Sequence, residues 1–97
     1  MSDDGGFAPP PFKAAEALLT AGRSLRELRL NERAGGFELR GRRVCELTLD
    51  GAQIQARMAR KLALTPEWDR QTLRSQPELR KWLDELKKRL ERWERED

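Results

Sequence analysis

The stretch LRLNERAGGFELRGRRVCELTLDGAQIQARM, from Leu28 to Met58, decides the fold. Leu28 and Leu30 alternate with Arg29 and Asn31. Phe37, Leu39, Cys45, Leu47 and Leu49 then share one parity, and Ala52, Ile54, Ala56 and Met58 form a further run of the same period. A period of two marks a strand with one buried face. Ala34-Gly35-Gly36 and Asp50-Gly51 punctuate the three runs, and Asp-Gly is among the strongest short hairpin signals. A two-residue Asp50-Gly51 loop pairs Leu49 with Ala52, Leu47 with Ile54 and Cys45 with Ala56. A two-residue Ala34-Gly35 loop pairs Glu32 with Phe37 and Leu30 with Leu39. Both hairpins place their apolar residues on the same face of the middle run, and a slip of one residue would undo that agreement. The stretch therefore predicts a three-stranded antiparallel meander. Arg43 falls on the apolar parity, and Gly41 nearby marks a bulge where the strand bends and the parity resets. Residues 52–64 have a competing helical reading, with Asp50 as N-cap and Ile54, Met58 and Leu62 at i, i+4 and i+8. The agreement of the two registers favours the strand.

The flanks read as helices. Pro11 suits a first turn, Gly22 suits the residue after a helix end, and Ala, Leu, Glu and Lys between them are strong helix formers. Phe12, Ala15, Leu18 and Leu19 give that helix an apolar stripe. Thr65-Pro66-Glu67 opens a short helix carrying Trp68 and Leu73. Ser75-Gln76-Pro77-Glu78 fits a capping box, and the helix that follows should run over about 76–95. Its Leu79, Leu83, Leu86, Leu90 and Trp93 are spaced as a heptad seam. The expected fold class is α+β: a three-stranded antiparallel meander with helices packed on one face, in the order α-β-β-β-α-α. Residues 1–10 form a disordered lead-in to a single domain over 11–97. The expected core is Leu28, Leu30, Phe37, Leu39, Cys45, Leu47, Ile54, Met58, Leu83, Leu86 and Leu90. The order is similar to that of double-stranded-RNA-binding domains, by analogy of architecture alone. Ser75-Gln76-Pro77-Glu78 stands where that family carries a basic cluster at the start of its last helix.

Composition excludes much chemistry. The chain has 97 residues, with 20 Lys and Arg against 17 Asp and Glu, no His and one Cys. Without His there is no imidazole ligand, catalytic His or pH switch. One Cys permits no internal disulfide and no cysteine-based metal cluster. Cys45 reads as a small buried hydrophobe, and no glycine-rich phosphate loop is present. The chain is expected to be no enzyme and to hold no cofactor or metal. No apolar stretch approaches the ~20 residues that a membrane span needs. The lone thiol and an acidic start without a signal pattern point to the cytoplasm.

Charge is unevenly placed. Net charge is −2 over residues 1–22, +5 over 23–64 and zero over 65–97. On the expected registers Arg29, Arg40, Arg42 and Arg57 share the polar sheet face with Glu27, Glu38 and Glu46. Arg29 lies opposite Arg40, a like-charge pair that an intervening anion would relieve. Arg23, Arg26, Arg33, Arg43, Arg60 and Lys61 extend the patch at its edges. No aromatic residue falls on this face, so base stacking has no platform. The seam offers a second surface: Leu79, Trp82, Leu86 and Trp93 either pack on the sheet or meet a partner. The reading that leads is a small binding module acting through protein–protein contact, with a protein partner or a second copy of itself. The alternative is sequence-independent nucleic-acid binding through the four arginines.

Overall fold

A computed structural model of the chain describes residues 11–96; the lead-in expected over residues 1–10 lies outside them, as does Asp97. The elements are α1 (Ala14–Glu27), β1 (Asn31–Arg33), β2 (Gly36–Leu39), β3 (Arg42–Asp50), β4 (Gln53–Ala59), β5 (Trp68–Leu73) and α2 (Gln76–Arg95). All strands join one antiparallel sheet in the order β1-β2-β3-β4-β5. The fold is α+β and a meander, but with five strands and the order α-β-β-β-β-β-α. The architectural similarity to double-stranded-RNA-binding domains lapses with the extra strands.

Two features of the backbone make the difference. The middle run is not one strand: Arg40 and Gly41 have φ of 55° and 79° and turn the chain back between Leu39 and Arg42, which pair. Positive φ at both central residues is the signature of a tight hairpin turn. Ala34 and Gly35 do the same between Arg33 and Gly36, with φ of 50° and 81°, and Glu32 pairs with Phe37 as the sequence predicts. The second feature is β5. Trp68–Leu73 carries only two apolar residues in six, too few to fix a helical face. As a strand it puts Leu73 opposite Ile54 and lets aromatic Trp68 and β-branched Thr72 lie on a pleated surface. The short helix expected from Thr65 is therefore absent.

The bulge also moves. Phe37 pairs with Cys45 and Glu38 with Arg43, which leaves Val44 as the extra residue on β3. Successive residues Val44 and Cys45 are thus both fully buried, and Arg43 turns to the face opposite Cys45. At the β3–β4 turn Asp50 pairs with Gln53, so the loop is Gly51-Ala52, with Gly51 at φ 60° in its first position. Leu49 meets Ile54 instead of Ala52. A shift of two residues preserves the parity, so every apolar side chain keeps its expected face. Residues 53–59 are strand, as the register argument requires.

Both helices cover the same face. α1 runs through Gly22 to Glu27, burying Ala14, Ala17, Ala21 and Leu25, and packs on β3 and β4. The small alanines let it lie close to the sheet. Of its expected stripe, Phe12 and Leu18 are half-buried and Ala15 and Leu19 exposed. Because α1 takes up residues to Glu27, Leu28 and Arg29 form its exit, with Arg29 at φ 66°, and join no strand. α2 packs on β5 and buries Leu79, Trp82, Leu86, Leu90 and Trp93. Ser75 caps it, its Oγ accepting from Glu78 N at 3.3 Å, while Glu78 Oε1 accepts from Arg74 N at 2.6 Å. Trp82 takes the inward place expected for Leu83, which is half-buried, as are Leu28 and Leu39. Phe37, Cys45, Leu47, Ile54, Ala56, Met58 and Leu73 complete the core from the sheet. No helix covers the opposite face among the described residues.

Candidate functional site

Antiparallel connectivity brings the ends of several elements together. β3 starts where β2 ends, and β5 starts where β4 ends, so the β2–β3 turn and the β4–β5 loop share one end of the sheet. The last turn of α2 arrives at the same end. There Arg42, Arg60, Lys61 and Arg92 line a cleft of about 530 Å³ with Leu62, Trp93 and Glu96. Among the described lining residues four cations face one carboxylate. Among the described residues the Arg42, Lys61 and Arg92 side chains make no ion pair or hydrogen bond. The amide of Arg60 donates to Glu67 O at 2.9 Å and closes the loop at its base.

A charged chain fixes one wall of this cleft. Arg60 Nε donates to Asp69 Oδ1 at 2.8 Å, and Arg89 Nη1 approaches Asp69 Oδ2 at 2.9 Å. Arg89 also donates to Glu85 Oε2 and to Ala59 O, each at 2.9 Å, which ties α2 to β4 and β5. The hydrogen bond from Arg60, aided by Arg89, holds Asp69 below its ordinary pKa against the opposing effect of burial. Asp69 stays charged and keeps the Arg60 guanidinium aimed.

The open sheet face carries a second group. Glu46 on β3 accepts from Arg57 Nε at 2.9 Å and from Arg43 Nη1 at 3.0 Å. The Arg57 bond is the main cause of its lowered pKa, which burial opposes. Gly36 lies opposite Glu46, where a Cβ would collide with the Arg43 guanidinium and come within 2.9 Å of Glu46 Cγ. The absent side chain makes room for the pair. The Arg57 guanidinium carbon also lies 4.4 Å from the centre of the Trp68 ring. Trp68 is opposite Ala59, which puts it on the open face. The expectation of a face without an aromatic residue is thereby corrected, because it rested on a helical Trp68.

The four predicted arginines do not form one patch. Arg42 sits in the cleft on the helix-covered side, opposite Leu39. Arg57 is on the open face. Arg40 sits in the β2–β3 turn at the cleft end, and Arg29 lies in the exit of α1, outside the sheet, so no Arg29–Arg40 strand pair exists. Leu79, Trp82, Leu86 and Trp93 are 4%, 3%, 0% and 4% exposed. The chain's own sheet covers them, and a partner could reach them only by opening the core. Arg92 in the cleft, and on the open face Trp68 and Arg70, which lies opposite Arg57, are the residues that sequence reading missed. Trp68 and Thr72 in a segment poor in leucine were the available signal.

Cys45 is inert. Burial, and then the Glu46 carboxylate, push its thiol up to about 12 despite Arg43. Alkylation by iodoacetamide near pH 8 should be at least about 100-fold slower in the folded protein than in denaturant, since only the thiolate reacts. Rapid stoichiometric labelling of the native chain would contradict this burial. Among the described residues no group of three or more His, Cys, Asp or Glu is placed to hold a metal ion, and no helix is long and apolar enough to cross a membrane. No protein-family model, curated protein or solved structure matches the chain.

Proposed function

We propose that the protein is a non-enzymatic binding module whose partner is a polyanion, the sugar–phosphate backbone of a nucleic acid. The observation that carries this reading is the convergence of Arg42, Arg60, Lys61 and Arg92 on one cleft, with Glu96 the one carboxylate among its described lining residues. Arg60 is paired with Asp69, but Arg42, Lys61 and Arg92 have no ion pair among the described residues, and like charges so gathered raise the local potential and are relieved by a bound anion. Three of the four are arginines, whose planar fork suits two phosphate oxygens at once. The four come from β3, the β4–β5 loop and α2, so the fold itself assembles the cleft. A cytoplasmic location, where such a partner and a reduced Cys45 would both be found, belongs to the same proposal.

Contact with a protein is the second reading. A groove between α1 and the sheet is lined by Leu18, Leu19, Phe37 and Leu47, and Leu19 is 66% exposed. Single exposed leucines are ordinary on soluble proteins, so this observation weighs less than the cleft.

Anisotropy of a labelled oligonucleotide, titrated at several salt concentrations, tests the first reading. Four phosphate contacts should give a slope of log affinity against log salt of about −3 to −4. Absence of binding to both single-stranded and duplex oligonucleotides at low ionic strength would reject it.

A further inference from the structure

We infer that the open sheet face binds the bases of a single strand, one base stacking on the Arg57–Trp68 pair while Arg70 holds a neighbouring phosphate. This rests on the polyanion reading and narrows it from any nucleic-acid backbone to single strands.

Three observations support it. First, Arg57 and Arg70 are directly opposite each other on β4 and β5. Like charges so placed destabilise a sheet. Glu46 compensates Arg57, but among the described residues the Arg70 side chain makes no ion pair or hydrogen bond. The excess charge at this point suits an anion. Second, the guanidinium of Arg57 stands over an aromatic ring and is held at its Nε and Nη2 by the Glu46 carboxylate. Aromatic rings and guanidinium planes are the surfaces on which unpaired bases stack. Third, a hollow of about 270 Å³ adjoins them, lined by Glu46, Thr48, Gln55, Arg57 and Arg70. Gln55 is fixed there, its Nε2 donating to Asp50 at 2.9 Å and its Oε1 accepting from Thr72 Oγ1 at 2.9 Å. A fixed amide beside a stacking surface can meet the polar edge of a base.

The two sites lie on opposite faces of the sheet but near one another along β4. Arg57 and Arg60 are three residues apart on one strand and its extension, about 10 Å. A strand whose phosphates lie in the cleft would pass round the end of the sheet to reach the open face, a path of a few nucleotides. A duplex cannot use the platform, because its bases are already stacked on one another.

The test compares oligo(dT) of about 12 nucleotides with a duplex of equal length, for the wild type, Trp68→Ala and Trp68→Phe. Trp68→Ala should bind oligo(dT) about 5- to 150-fold more weakly and the duplex within about twofold of wild type. Trp68→Phe keeps a ring and should retain most of the single-strand affinity, which separates stacking from any effect on folding. Unchanged oligo(dT) affinity in Trp68→Ala would overturn the inference, as would equal losses on single strand and duplex. In either case a steep salt dependence would leave the polyanion reading standing. If the wild type binds neither probe at low salt, both fall together.

Discussion

Leu86→Ala should destabilise the protein by about 2–5 kcal/mol, seen as a lower denaturation midpoint in urea with little change in slope. Leu86 is fully buried in the middle of α2, between the turns that carry Trp82 and Leu90. Truncation there removes buried methyl groups and leaves a cavity between the turns that carry Trp82 and Leu90. A domain of this size has only about 5–15 kcal/mol of stability in all, so one such change is a large share. Leu86→Glu should leave no folded population, since it would bury a carboxylate with no cation beside it. Emission from the buried Trp82 and Trp93 reports both outcomes. The result also decides between two roles for the residue. If Leu86 belonged to a surface between copies, Leu86→Ala would alter sedimentation and leave the urea midpoint in place. A midpoint unmoved by Leu86→Ala would mean that α2 does not cover the sheet.

Legibility of the fold followed the physics of each segment. Alternation in Phe37–Met58 is imposed by a buried face on one side and water on the other. The correct faces for Cys45, Leu47, Ile54 and Met58 were therefore readable even though the β3–β4 turn sits one residue further on. The α2 start was readable because Ser75 and Glu78 satisfy amides at the helix start from within a four-residue motif. Arg40-Gly41 was not readable as a turn. Arginine has no intrinsic preference for positive φ, and only pairing of the flanking strands makes that geometry worthwhile. Trp68–Leu73 left only a weak local trace, Trp68 and Thr72 in a leucine-poor segment, because its strand form depends mainly on β4 offering an edge, a tertiary condition. The site inherited those two misses. Arg40 was placed on a face instead of in a turn, and Trp68 was put on a helix, which emptied the open face of its aromatic ring. Arg42 was found but assigned to the wrong side, because the bulge at Val44 changes the parity between it and the rest of β3.

Reversing two cations of the cleft, Arg42→Glu together with Arg92→Glu, should weaken oligonucleotide binding by about 1,000-fold at low salt. A unit charge about 4 Å from a phosphate contributes about 1 kcal/mol in a water-like medium. Reversal turns attraction into repulsion, so each residue changes the balance by about 2 kcal/mol and the pair by about 4, which is close to three decades. Neither side chain makes an ion pair or hydrogen bond among the described residues, so the melting temperature should move little. Added salt should shrink the gap between variant and wild type, because screening weakens the attraction and the repulsion alike. The control is Arg74→Glu with Arg80→Glu, an equal change in net charge at the opposite end of α2. If the control loses as much affinity as the cleft variant, binding follows net charge and the cleft has no special part in it. If only the cleft variant loses affinity, the partner's phosphates sit where Arg42, Arg60, Lys61 and Arg92 meet. The chain's small overall charge of +3 is then no measure of its affinity for polyanions, because the excess is concentrated at one end of the sheet.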